Sequence, residues 1–226
     1  MKTVLNAKTL KDHLFYNWWK YLLALLAGIF LVDLLFTVTA PRIPENKKVD
    51  FYIYGYSDSA ALTDYLSRVH ETEMADMESV SFNNLTMDDT YGQMQLTTYI
   101  FVGEGDLYLL PREDFISLAS SGAFLPLEED PELMALCDGA GLNLRRGWRT
   151  AENEDAAHLY GIPADLLPGL PSYCFTPDGY LAVLSYGGNT ENAVKLLRIL
   201  VRDTLTAPEV PEEASPSPAP EPSVQP

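Results

Sequence analysis

Residues 103–129 read GEGDLYLLPREDFISLASSGAFLPLEE. The apolar run 106–110 (DLYLL) predicts a short strand, and Gly103 and Gly105 before it end whatever helix precedes it. Pro111 takes the predicted first helical position, and 112–121 continue as a helix closed by Gly122. Phe124-Leu125-Pro126-Leu127 then brings the chain back to the core. The same alternation recurs upstream. Residues 49–56 (VDFYIYGY) are β-branched and aromatic, a strand ending at Gly55. Asp58 is placed to cap a helix through Ala61, Leu62, Tyr65, Leu66 and Val69. Residues 77–85 form a second strand, broken at Asn83-Asn84, and Asp88 or Asp89 starts a helix through Met94, Leu96, Tyr99 and Ile100.

Three strand–helix units in succession imply a parallel sheet covered on both faces. Downstream, Asp130-Pro131-Glu132 opens a short helix to about Cys137, and 138–157 read as a polar loop. Residues 158–163 (HLYGIP) and 180–186 (YLAVLSY) are two more strands. A last helix over 191–205 places Ala193, Leu196, Leu197, Leu200 and Val201 on one stripe. The expected fold is therefore α/β: an N-terminal transmembrane helix followed by one three-layer α/β domain with a mainly parallel five-stranded sheet.

Residues 21–40 (YLLALLAGIFLVDLLFTVTA) contain one charge, Asp33, and suffice to cross a hydrocarbon core of ~30 Å. Trp18, Trp19 and Tyr21 gather at the N-terminal edge, where amphipathic rings favour the interface. Residues 1–20 read as a cytoplasmic amphipathic tail, 41–48 as a linker and 49–206 as the extracytoplasmic domain. Residues 207–226, with seven prolines, read as a disordered acidic tail. Lys2, Lys8, Lys11 and Lys20 precede the span, which places the N-terminus inside. Cleavage after Val38-Thr39-Ala40 is the alternative, disfavoured by Pro41 and by the long segment before the apolar run. Asp33 is either a contact to another membrane helix or a tolerated, partly protonated side chain.

The chain has 226 residues, 47% of them apolar, so the middle portion can bury a core. Its 32 acidic side chains outnumber 15 basic ones. Such a surface repels nucleic acid, which is excluded as a partner. Cys137 and Cys174 lie beyond the apolar run; a disulfide between them and two buried free thiols are both open readings.

The run 103–129 resembles the third strand–helix unit of bacterial extracellular solute-binding proteins of the two-lobed periplasmic-binding class. Its Gly122-Ala123-Phe124-Leu125-Pro126-Leu127 is similar to their turn after that helix. Tyr160-Gly161-Ile162-Pro163 resembles the strand on which those chains cross between lobes, and Gly188-Asn189-Thr190-Glu191-Asn192-Ala193 resembles the segment before a late helix. The interval from Leu127 to His158 is too short for a second lobe. The resemblance thus implies one lobe without its partner, with a transmembrane helix where those proteins carry a lipidated cysteine.

Open α/β sheets bind ligands beyond the carboxyl ends of their strands. Those ends here are Tyr56-Ser57-Asp58, Asn83, Arg112-Glu113, and Tyr186 leading to Asn189. The competing reading is that Asp58 and Asn189 cap helices and Arg112 is a solvated charge. His70, Glu71, Glu73, Asp76 and Glu78 form the densest acidic stretch but lack metalloprotease spacing; a solvated helix end is the plainer reading. Arg145, Arg146 and Arg149 surround Trp148, either for an acidic partner or headgroups or as local charge balance. No cofactor fingerprint, metal motif or nucleophile–base pair is present in the sequence. The expectation is a non-enzymatic, membrane-anchored binding or interaction domain at the cytoplasmic membrane, docking on a transporter or another envelope protein through Asp33 and an open sheet edge. A small-solute sensor using a strand-end pocket is the alternative.

Overall fold

The computed structural model describes residues 7–39, 43–87, 90–152 and 154–206, with side chains from residue 18 on. They belong to two compact units divided between Arg42 and Ile43. The first is one helix, α1 (Ala7–Thr39). The expected amphipathic tail and the apolar span are thus one continuous helix, because nothing between Lys8 and Tyr21 breaks it. Its segment Trp18–Thr39, 22 residues with mean hydropathy 2.4, is long and apolar enough to cross a membrane. The residues expected as a tail at 207–226 lie outside the described residues, as do Asp88 and Asp89.

The second unit opens with a 3-10 turn at Glu45–Lys47 inside the expected linker, and Lys48 already belongs to β1 (Lys48–Tyr54). After β2 (Tyr56–Ser57) and α2 (Ser59–Glu73) come β3 (Ser79–Leu85), α3 (Tyr91–Val102), β4 (Leu107–Leu110) and α4 (Arg112–Ser120). Asn83 and Asn84 do not break β3: they pair with Tyr52 and Ile53 in register. Pro111 is the N-cap of α4 and not its first residue. The second half holds α5 (Pro131–Gly139), the hairpin β5 (Trp148–Thr150) and β6 (Ala157–Leu159), then β7 (Ile162–Pro163), β8 (Cys174–Phe175), β9 (Tyr180–Val183) and α6 (Thr190–Thr204). Part of the expected loop 138–157 is therefore paired strand, and the expected strand 158–163 divides between two sheets.

The main sheet has the order β3-β1-β4-β9-β7. β1, β3 and β4 are parallel, whereas β9 is antiparallel to both β4 and β7. The sheet is mixed and not mainly parallel. The cause is the connection before β9. It carries two 3-10 turns and the short β8 but no α-helix, so it lacks the crossover that a parallel neighbour requires.

Alternation along the strands feeds two separate hydrophobic clusters. Phe51, Ile53, Leu107, Leu109, Leu181 and Val183 join Leu62 and Leu66 of α2, Cys137 of α5 and Leu197 of α6. Tyr52, Tyr54, Tyr108, Leu110, Tyr180 and Ala182 join Leu96 and Ile100 of α3 and Phe115 and Ala119 of α4. With apolar clusters on both faces, β4 and β9 read LYLL and YLAV, with no polar alternation. Cys137 and Cys174 lie in the first cluster as free, buried thiols. Burial pushes them up to about 11 and about 12, so neither carries thiolate character.

The β5–β6 hairpin is tied down by Glu128. One carboxylate oxygen accepts from Leu159 N at 2.9 Å and the other lies 2.5 Å from His158 Nδ1. Glu154 adds an oxygen 3.8 Å from His158 Nε2. The hydrogen bond to Glu128 is the main cause that raises the imidazole above its ordinary value. A group raised on folding stabilises fully below its unfolded pKa, and that stabilisation disappears as pH rises through the folded one. The melting temperature should therefore fall, as pH rises above the ordinary imidazole value of about 6.5, more steeply in the native chain than in His158→Gln, as followed by circular dichroism. Equal slopes would show that the pair does not hold the hairpin.

Candidate functional site

The residues expected to share a strand-end pocket do not meet. Because β9 runs antiparallel, Tyr180 at its start lies opposite Leu110, and Val183 at its end lies opposite Leu107. Tyr186 and Asn189 consequently emerge at the amino ends of β1 and β4. Tyr56, Ser57, Asp58, Arg112 and Glu113 stay at the carboxyl ends, and Asn83 projects from the exposed part of edge strand β3.

At the carboxyl end, local structure uses most of the polar groups. Asp58 Oδ1 accepts from Ala60 N and Ala61 N, each at 3.1 Å, so its carboxylate caps α2. Tyr56 and Ser57 pair with Phe175 and Cys174 in the small β2–β8 sheet. Ser57 Oγ is buried and has no hydrogen-bond partner among the described residues. Arg112 and Glu113 are exposed on the first turn of α4. A narrow cavity of about 110 Å³ lies nearby between Leu167, Leu170, Pro171, Cys174 and Thr176. Two of its polar side chains are engaged: Asp165 pairs with Arg146 at 2.5 Å, and Thr176 Oγ1 donates to Tyr54 O at 3.0 Å.

At the amino end, Asn189 holds the N-cap position of α6, but its side chain accepts from no helical N–H and serves as a structural bracket. It is buried, its Nδ2 donates to Lys48 O at 3.0 Å, and its Oδ1 accepts from Asn192 Nδ2 at 2.8 Å. Asp106 completes the bracket: Oδ2 accepts from Asp50 N at 3.0 Å and Oδ1 from Asn189 N at 2.9 Å. Desolvation raises the Asp106 carboxyl above its usual value, while those two backbone donors pull it back down. The starts of β1, β4 and α6 are thereby locked to one carboxylate.

Members of the other charged clusters are paired within the fold. Glu73 forms a forked pair with Arg202 at 2.6 Å and 2.9 Å, and His70 Nε2 lies 2.9 Å from Met77 O. Arg149 lies 5.9 Å from the Phe115 ring centroid. Among the described residues no three His, Cys, Asp or Glu side chains are grouped as a metal site.

What remains is a surface that the sequence reading passed over. Helix α3, YGQMQLTTYIFV, carries no charged side chain. Leu96 and Ile100 face the core, yet Phe101 is 86% exposed, Val102 64%, Met94 63% and Tyr91 58%. An ordinary surface helix turns its charges outward; this one has none to turn, and it exposes these apolar side chains among Gln93, Thr97 and Thr98. The signal was present as twelve consecutive residues without a charge in an acidic chain. The helical spacing of Met94, Leu96, Tyr99 and Ile100 points to a core stripe and leaves the other side of the helix unassigned. Tyr186 extends the surface at the end of α3: a Cβ placed on Gly103 would meet its ring at 3.4 Å.

No protein-family model and no curated protein matches the sequence. Solved structures do. A family 1 extracellular solute-binding protein from Alicyclobacillus acidocaldarius is similar over 54% of this chain and 29% of its own, at 17% identity and a TM-score of 0.38. A family 1 extracellular solute-binding protein from Bifidobacterium longum is similar over 53% and 31%, at 18% identity and a TM-score of 0.36. MalX from Streptococcus pneumoniae, solved with maltopentaose, is similar over 51% and 27%, at 19% identity and a TM-score of 0.34. The chain thus resembles these proteins over about half of its length and spans less than a third of theirs.

Proposed function

We propose that this chain is a membrane-anchored extracytoplasmic interaction domain, without enzymatic activity, that docks on protein through the outer face of α3. The exposed, uncharged α3 face carries this reading. Scattered apolar side chains are ordinary on a surface; four on one helix, joined by Tyr186, form a patch of the kind that marks an interface. The division of the strand-end residues between opposite ends of the sheet weighs against the small-solute sensor. The anchor is the apolar part of α1, retained, with the basic N-terminal residues inside. Asp33 shares a helix face with Ala24, Gly28, Ile29 and Val32. We assign it to contact with another membrane helix, since a carboxylate in hydrocarbon costs about 2.5–3.5 kcal/mol without a partner. A transporter or other envelope protein is the heterologous form of the partner.

The test is photo-crosslinking in native membranes, with benzophenone-alanine replacing Thr98 on the full chain. Protein adducts should form there and fall at least tenfold when Phe101→Asp is added. The same probe at Ser121, exposed at the end of α4, should give none. Absence of any protein adduct at Thr98 would overturn the docking reading.

A further inference from the structure

We infer that the protein docking on α3 is a second copy of this chain, with the two α3 helices packed antiparallel about a twofold axis between Thr97 and Thr98. This rests on the reading of α3 as the docking face, and three features of that face select the occupant.

The first is self-complementarity. In a twofold contact, where one residue meets a second residue of the other copy, the second meets the first in turn, so one surface must suit itself. About an axis between 97 and 98, Met94 opposes the second copy's Phe101, Gln93 opposes its Val102, and Thr97 opposes its Thr98. The wide side chains thus stand toward the ends and the small ones at the crossing point. A thioether against an aromatic ring is a favourable pair, and threonines at the centre permit close approach of the helix axes.

The second is the state of the central hydroxyls. Thr97 Oγ1 donates to Gln93 O at 2.8 Å, and Thr98 Oγ1 donates to Met94 O at 2.7 Å. Both donors are satisfied within their own helix. Covering them therefore strands no hydroxyl proton, and the methyl groups are left as contact surface.

The third is charge. The chain carries a net −17, so two copies repel wherever carboxylates would meet. A docking face for a basic partner would present some of those carboxylates. α3 presents none along its length, which is the charge pattern for meeting another acidic molecule. A modest contact suffices, because two chains tethered in one bilayer share a raised effective concentration.

The experiment uses the full chain in its membrane, co-expressed with two different epitope tags. Thr98→Cys is treated with a short bismaleimide, with Ser121→Cys as the control. The native thiols are buried and do not compete. The expected result is a species of twice 25.1 kDa carrying both tags, at least tenfold more abundant for Thr98→Cys than for the control. Adding Met94→Asp and Phe101→Asp to the Thr98→Cys chain should abolish it. A dimer that persists with both aspartates, or that forms equally through Ser121→Cys, overturns the α3 contact. Adducts to a different protein at Thr98 with no doubly tagged species leave the docking face standing and remove the second copy as its occupant. No adduct of either kind removes both.

Discussion

Asp106→Ala is expected to destabilise the domain by about 2–5 kcal/mol, seen as a lower urea midpoint with an unchanged slope. The Asp106 side chain is 3% exposed, and its two oxygens hold Asp50 N and Asn189 N. Alanine leaves the buried Asn189 N–H and the part-buried Asp50 N–H without this partner, and each unsatisfied donor costs about 1–3 kcal/mol when buried. For a domain of this size that corresponds to a fall of roughly 10 °C in melting temperature. Asp106→Asn separates geometry from charge. Its amide oxygen can still accept one bond, while its NH2 faces the other N–H, so roughly half the loss should remain. A loss below about 1 kcal/mol for alanine would show that water replaces the carboxylate and that the bracket does not lock the strand starts.

Phe115→Ala is expected to cost about 3–5 kcal/mol, the range for emptying an aromatic site in a core. Phe115 is fully buried on α4. Its ring stacks on Tyr180 of β9 at 4.3 Å and 3°, and on Phe124 at 5.9 Å and 14°. Gly161 passes so close that a Cβ there would lie 2.6 Å from the ring, so backbone and ring are fitted together. The surroundings are strands and another ring, which collapse poorly into a vacancy, and the upper part of the range is expected. Phe115→Leu, which fills most of the volume, should cost less than half as much in the same urea titration. Similar losses for both variants would mean that ring stacking, and not volume, holds α4 on the sheet.

How much of this was legible in the sequence differs by element. The first half is legible because its signals are local. Asp58 precedes a helical stripe and caps it, and Asp130 does the same for α5 through Leu133 N at 2.7 Å. Gly103, at φ 73°, ends α3 where only a residue without a Cβ is unstrained. The second half is less legible. β5 to β8 are two or three residues long, too short to show a period. The pairing of β8 is set by a partner far along the chain, Ser57 with Cys174.

The candidate site shows the same division. A strand's existence follows from its own residues, but its direction follows from where the preceding connection delivers it. YLAV is equally apolar run either way. Only the pairing of Tyr180 with Leu110 fixed β9 as antiparallel, and that moved Tyr186 and Asn189 to the far end of the sheet. The sequence by itself determined the apolar membrane-length helix, the acidic surface and the caps at Asp58 and Asp130, because each depends on residues within one or two turns of chain. The tertiary structure alone decided which side of α3 is covered. A helix without a charge on any side carries no mark of which face the sheet will take, so the exposure of Met94, Phe101 and Val102 becomes visible only once Leu96 and Ile100 are seen against the core.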